Sequence, residues 1–433
     1  MQVWLLKIGE TLPFGATAKD RPLRMGMLAT ALAKAGHEVL WWTSTFDHAR
    51  KKLHSPRETT VSIMDGKVLI RCLHSYSYKK NISFRRLAHH WDTARQFLKA
   101  AENLPPPGVI LSSLPTTDFC AAAADYGVRK NVPFVVDVRD LWPDDILNVV
   151  PQGTKTFFHA ALAPMRRQVR VAMQSAAAIF GTSPQFVKWG LRYAEREATP
   201  YDQDFPLAYP AEEPPVADQE AAFAFWRAKG VGVDPKEVTV CYCGVMSWTS
   251  ELEPVIEAAK KFAAEGRKVK FVFCGHGDKQ ELFRKLAGDS PNMTWMGWLG
   301  RAEVWALLRL SQIGLAVYTN VHSYMNNLPN KVGEYLSAGL AFACSTRGQL
   351  GELVTTEKIG FLFEPKSPES FYNNLLPLLA ERERIASIQK RARELYLRRF
   401  VAEDVFRRYA EALVEIGERH KMSQPQQQRL AAK

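Results

Sequence analysis

Short apolar runs alternate along most of this chain with stretches whose apolar positions recur every three or four residues. Val3–Ile8 reads as a buried strand. After it, Met25, Leu28, Ala29 and Leu32 fall at i, i+3, i+4 and i+7, the single stripe of a helix. Gly36 ends that helix, because glycine accepts a left-handed cap. Val39–Trp42 restarts the cycle, and Val68–Cys72, Val109–Ser112, Phe134–Val138 and Ala177–Phe180 continue it. Continuous apolar strands separated by amphipathic helices predict a parallel sheet covered on both faces.

The pattern breaks between Thr199 and Pro215, where TPYDQDFPLAYPAEEPP carries five prolines, residues that continue neither helix nor strand. It resumes with Val238–Cys243, Val269–Cys274, Met293–Met296, Ile313–Val317, Leu340–Cys344 and Phe361–Phe363. The expected fold class is α/β, with two Rossmann-like, doubly wound domains facing a cleft. The expected divisions are 1–205, 206–398, a helix at 399–420 and a polar tail at 421–433. Phe406, Tyr409, Leu413 and Ile416 give that helix its apolar stripe.

Composition narrows the class. With 433 residues the chain has ample length for large cores, and its 11 Trp, 23 Phe and 13 Tyr exclude a solvated coil. No apolar stretch approaches the length needed to span a bilayer, and the start MQVWLLKIGE turns polar too soon for a signal peptide. Cys72, Cys120, Cys241, Cys243, Cys274 and Cys344 form no Cys-x-x-Cys pair, and buried thiols in a reducing cytoplasm are expected. Lys plus Arg is 57 against 45 Asp plus Glu, a net +12 that asks for an anionic partner.

Ligands of open parallel sheets bind beyond the carboxyl ends of the strands. Four segments qualify. Cys243-Gly244-Val245 leads from a strand into a loop, where Gly244 lets a backbone approach a ligand and a following helix offers N–H groups to phosphate. Cys274-Gly275-His276-Gly277 is a similar turn, without the third glycine of a dinucleotide site. In Asn326-Asn327-Leu328-Pro329-Asn330-Lys331-Val332-Gly333-Glu334, Lys331 is a cation in a helix's first turn, against the local field, which points to an anionic ligand. Glu334 suits a diol such as ribose. Asp137-Val138-Arg139-Asp140-Leu141-Trp142-Pro143 delivers carboxylates, an arginine and a flat ring to one strand end, a set suited to acid–base and electrostatic work. A surface ion-pair cluster and plain turns are the competing readings. Asp202-Gln203-Asp204 has the form of a metal–diphosphate site but lies in the proline-rich linker, so no metal site is expected.

Together, Gly36-His37-Glu38-Val39, Asp137–Pro143 and Pro329-Asn330-Lys331 with Glu334–Gly339 resemble family 4 of the GT-B glycosyltransferases, in a bacterial branch that builds surface polysaccharides such as O-antigen or capsule. The resemblance covers both halves. It implies a metal-independent, retaining transferase with no cofactor. The C-terminal domain would take a nucleotide-diphosphate-sugar, expected to be a UDP-sugar, and the N-terminal domain a glycan or lipid-linked acceptor. The closing helix would cross back to the N-terminal domain. Glu334 matches the second glutamate of the family's Glu-x7-Glu motif, which holds the ribose. Asn326 stands at the first, where the donor sugar is met. The family's Arg and Lys on the diphosphate fall at Val245 and Ser250, which leaves Lys331 to replace part of that charge. The usual His-Asp pair appears as Arg139-Asp140. The implied catalytic set is Asp140, Arg139, Asp137 and Lys331; the donor set is Gly244, Gly275, Gly277, Asn326, Asn330, Lys331 and Glu334.

Two alternatives stand beside this reading: a GT-B sugar-nucleotide epimerase, and a donor-binding but inactive protein that docks on anionic surfaces. No nucleic-acid module is recognisable. The basic clusters His48–Lys52, Lys79-Lys80, Arg85-Arg86 and Arg166–Arg170 are interleaved with aromatics in the N-terminal half. They suit an anionic inner-leaflet surface and a cytoplasmic, peripheral-membrane location.

Overall fold

The computed structural model describes residues 1–14, 22–80 and 83–431. The chain forms two units, residues 1–206 with 403–433, and residues 207–402.

The first unit holds β1 (Gln2–Leu6), β2 (Glu38–Ser44), β3 (Phe46–Asp47), β4 (Lys52–Leu53), β5 (Thr59–Ile63), β6 (Val68–Leu73), β7 (Val109–Ser113), β8 (Phe134–Val138), β9 (Ala178–Gly181) and β10 (Gln203–Asp204). Its main sheet runs β10-β9-β8-β7-β1-β2-β6-β5, parallel except for the edge strand β5. β3 and β4 form a separate small antiparallel pair. The order reverses direction at β1, so the loops after β1, β7 and β8 meet at the strand ends. The core beneath is aromatic: Trp4, Trp42 and Phe97 meet edge to face at 5.1–6.2 Å, the arrangement ring quadrupoles favour.

The helix Ala402–Ala431 packs in this unit, as the sequence resemblance implied for the closing helix. Phe406, Tyr409, Leu413 and Ile416 are buried. Tyr409 stacks on Phe205 at 4.4 Å, and the Arg24 guanidinium lies 4.7 Å from the Tyr409 ring centre.

The second unit is a six-stranded parallel sheet. It holds β11 (Val238–Cys243), β12 (Val269–Cys274), β13 (Met293–Met296), β14 (Ile313–Ala316), β15 (Ala341–Cys344) and β16 (Gly360–Leu362), in the order β13-β12-β11-β14-β15-β16. Its switch point lies beside β11. All six cysteines are free and buried. Among the described residues no helix is long and apolar enough to cross a membrane.

The predicted strands recur, Phe134–Val138, Val238–Cys243, Val269–Cys274 and Met293–Met296 with unchanged bounds and the others with boundary shifts of one or two residues. The edge strand β5 and the two-residue strands had no legible signal. β10 falls within Asp202-Gln203-Asp204. There Asp202 accepts bonds from the Ile179 amide at 2.7 Å and from Arg196, so this carboxylate pins the linker.

Candidate active site

Each unit gathers polar groups at its strand ends. In the second unit, Cys243 and Cys274 are register partners, so the loops after β11 and β12 leave side by side. They are joined backbone to backbone: Gly244 N–H donates to Cys274 O at 3.0 Å, and Met246 N–H to His276 O at 2.9 Å. A Cβ on Gly275 would stand 1.9 Å from Gly244 O, and one on Gly277 2.1 Å from Met246 O. Loop-to-loop contact by itself requires glycine at both of these donor-site candidates.

Gly244 makes room for Lys331. It has φ +151°, and a Cβ there would meet Lys331 Nζ at 3.3 Å. Lys331 is the second residue of the helix Asn330–Ala338, which Pro329 precedes and Gly339 (φ +70°) terminates. The side chain is 7% exposed. Its ammonium lies 3.8 Å from the Tyr242 ring centre and 4.9 Å from that of Tyr318. Burial holds the Tyr318 phenol well above its usual pKa, so that ring stays neutral. The ring faces attract the cation, but its Nζ has no hydrogen-bond partner among the described residues. A buried ammonium with unused donors is costly.

The Tyr242 hydroxyl donates to Val245 O at 2.7 Å, and Ser250 Oγ donates to the same oxygen at 2.9 Å, which fixes the loop. The helix that follows starts at Glu253. Glu334 is half-buried on the Lys331 helix, and its charge acts on Cys243 and Tyr318. It therefore borders the same strand ends. Asn326 is half-buried and Asn330 exposed.

In the first unit, Asp137 is fully buried. Arg24 donates to its two oxygens at 2.8 and 3.1 Å, and Ser113 Oγ donates at 2.8 Å. Ser113 and Asp137 are register partners on β7 and β8, which sets that contact. Asp137 thus holds the start of the helix Arg24–Lys34. Arg139 does a related job: its Nη1 donates to Glu10 Oε2 at 2.6 Å, while Glu10 Oε1 accepts from the Met25 amide at 2.6 Å. A carboxylate at that helix N-terminus is favourable. Of the three candidates from this strand end, Asp140 alone is exposed; desolvation by the groups around it nevertheless raises its pKa above the ordinary carboxylate value, against the opposing positive charges of Lys7, Arg139 and Arg86. Asp145, half-buried beside it, is pushed up to about 6 by burial and by the charge of Asp140.

Sequence reasoning missed Lys7, Glu10 and Arg24, and took Arg86 only as part of a basic cluster suited to an anionic surface. Lys7 was absorbed into the first strand, but β1 ends at Leu6, which makes Lys7 the first residue beyond a strand end. It is 7% exposed and donates to Leu114 O at 3.0 Å. Burial, then the Arg139 charge, lowers its pKa to about 8. The Arg86 guanidinium lies 4.7 Å from the Trp142 ring centre and so occupies one face of the flat ring at this strand end.

The glycosyl transferase 4-like domain family matches residues 23–200, and the glycosyl transferases group 1 family matches residues 237–381. The chain is a family 4-like GT-B glycosyltransferase. Its two matches fall in the first and second units respectively. Solved structures repeat the fold. Sucrose-phosphate synthase from Thermosynechococcus elongatus aligns at TM-score 0.65 and 17% identity over 100% of both chains. Anabaena HepE in complex with UDP-glucose aligns at 0.63 and 15% over 96% of this transferase and 100% of its own chain. WaaG, a glycosyltransferase involved in lipopolysaccharide biosynthesis, aligns at 0.63 and 14% over 95% and 99%. No curated protein sequence matches the transferase.

Proposed function

We propose that this transferase moves a hexosyl or N-acetylhexosaminyl group from a UDP-sugar to a glycan or lipid-linked saccharide, with retention of anomeric configuration and without a metal, in bacterial surface-polysaccharide synthesis. The observation that carries the donor half is Lys331: a buried ammonium with no hydrogen-bond partner among the described residues, beside a glycine loop at a switch point. A diphosphate would satisfy its donors. Structures of the same fold bind UDP or UDP-glucose, which supports the choice of nucleotide.

In the reaction the bond from the anomeric carbon to the diphosphate oxygen breaks, and Lys331 with the N–H groups near Gly244 and Asn330 stabilises the departing charge. Glu334 accepts from the ribose hydroxyls, and Asn326 meets the donor sugar. The acceptor oxygen bonds to the anomeric carbon from the face that the diphosphate leaves. Its proton passes to the leaving diphosphate or to Asp140, while Arg139 and Asp137 position that strand end.

A peripheral place on an anionic, cytoplasmic membrane face belongs to this reading. Phe84, Leu87 and Trp91, at i, i+3 and i+7 of the helix Phe84–Ala101, are 91, 39 and 54% exposed. Exposed Lys79, Lys80 and Arg85 flank them. An apolar stripe with basic borders is the signature of an interfacial helix.

The test is incubation with UDP-sugars and a lipid-linked acceptor in the presence of EDTA. Glycosylated acceptor with retained configuration and released UDP supports the proposal. An isomerised nucleotide sugar formed without acceptor would favour the epimerase.

A further inference from the structure

The helix Lys155–Ala161 buries none of its side chains. It follows β8 and the Asp140 loop in the first unit. Phe157 is 72% exposed and meets the half-buried Phe158 edge to face at 5.7 Å. A phenyl ring left in water contributes nothing to the core, because the hydrophobic gain follows the area removed from water. This helix therefore presents apolar surface that the fold itself does not use.

Charge singles out the same stretch. Residues 146–194 hold no Asp or Glu, against six cations: Lys155, Arg166, Arg167, Arg170, Lys188 and Arg192. With 45 acids in 433 residues, an even spread would put about five there. The bordering carboxylates are engaged, Asp144 with Arg166 at 3.3 Å and Glu195 with Arg170 at 3.4 Å. Lys155 and Arg167 are exposed, and so is Val171 on the next helix, Ala163–Ser175. A simple polyanion would meet the cations and leave the rings in water. An anionic bilayer takes both, the cations at its headgroups and the rings at the acyl boundary.

The patch is tied to the loop that carries Asp140. Arg166 Nε donates to Asp144 Oδ1 at 3.3 Å, and its Nη1 donates to His159 O at 3.2 Å and lies 2.9 Å from His159 Nδ1. Trp142 of the same loop lies 4.7 Å from the Arg86 guanidinium, at the start of the helix Phe84–Ala101. The loop is thus joined both to the helix Lys155–Ala161 and to the helix that bears the exposed stripe Phe84, Leu87 and Trp91.

We propose that the helix Lys155–Ala161 is a second contact with an anionic bilayer, made through Phe157 and Phe158, and that the Asp140 loop, joined to both contacts, stands at headgroup level. The proposal rests on the membrane reading of the helix Phe84–Ala101 for the first contact. Phe84–Ala101 remains the main anchor; the second contact fixes how the loop meets the surface.

The test is NBD fluorescence on the full-length protein, labelled at one introduced cysteine; the six native cysteines are buried. Ala160→Cys lies one turn after Phe157, and Ala88→Cys one turn after Phe84. Asn148→Cys lies just beyond the loop. Val128→Cys is the control: it is 68% exposed near the end of the helix that leads into the start of β8, at the opposite end of the sheet. With phosphatidylglycerol vesicles at low salt, the labels at 160 and 88 should brighten about twofold or more. Lipids spin-labelled near the glycerol end of the acyl chain should quench them. Headgroup spin labels should quench the label at 148, and the label at 128 should not respond. Phe157→Ser should abolish the response at 160, keep that at 88, and leave the melting temperature unchanged, since the helix buries nothing. A response at 88 without one at 160 overturns this inference and leaves the membrane reading standing. No response at either overturns both. An equal response at 160 to heparin assigns the surface to a polyanion and overturns the bilayer contact, as does an equal response at 128. An unquenched label at 148 overturns the placement of the loop.

Discussion

Arg24 grips Asp137 through two bonds, Nε to Oδ2 at 3.1 Å and Nη2 to Oδ1 at 2.8 Å, with side chains 1% and 0% exposed. Burial opposes both charges, yet the pairing prevails: the Asp137 carboxyl sits below its ordinary range and the Arg24 guanidinium above its own. Removing one partner strands the other charge in the interior. Arg24→Met should cost about 3–5 kcal/mol in urea unfolding, and replacing both partners with apolar residues much less. Asp137 has its pKa lowered on folding, so its contribution is complete above the unfolded value of about 3.9 and is lost as pH falls through the folded one. The stability gap between wild type and Arg24→Met should therefore narrow in acid.

Asp140 stands three residues further on and is exposed, so its variant should behave in the opposite way. Asp140→Asn is expected to leave the melting temperature unchanged and to lower kcat by about 10²-fold or more, as for loss of a positioned acid–base group. Asp137→Asn should lower the melting temperature first. Thermal unfolding measured beside steady-state kinetics separates the two.

The stripe of Phe84, Leu87 and Trp91 predicts membrane affinity. Sedimentation with phosphatidylglycerol vesicles at low salt should exceed that with phosphatidylcholine and fall as salt rises. Phe84→Ser with Trp91→Ser should release the protein while leaving its UDP affinity intact. Equal sedimentation of the double variant would contradict the assignment of this helix.

Gly275→Ala and Gly277→Ala should each lower the stability of the second unit by about 1–3 kcal/mol, the range for overpacking, because the added Cβ meets backbone that cannot rotate away. Differential scanning fluorimetry checks this without any ligand.

These residues show how far the sequence could be read. Strands such as Phe134–Val138, Val238–Cys243 and Val269–Cys274 were legible because parallel strands buried on both faces are continuous apolar runs bounded by polar loops. β5 was not, since its burial alternates along an exposed edge. At the candidate sites, Lys331 stood out because a cation in a first helical turn violates a local rule. Arg24 and Glu10 violate none. Their partners lie 113 and 129 positions away, a pairing that only tertiary structure creates. The glycines at 275 and 277 were visible, but a turn that meets a ligand and one that meets another loop have the same spelling.

The most direct test of the donor assignment is the UDP affinity and melting temperature of Lys331→Met. Losing a charge-assisted hydrogen bond to diphosphate should weaken UDP binding by about 10- to 100-fold. Removing a buried ammonium that has no hydrogen-bond partner among the described residues should leave the melting temperature of the free protein unchanged or raise it. Wild-type UDP affinity in a folded Lys331→Met protein would contradict the account.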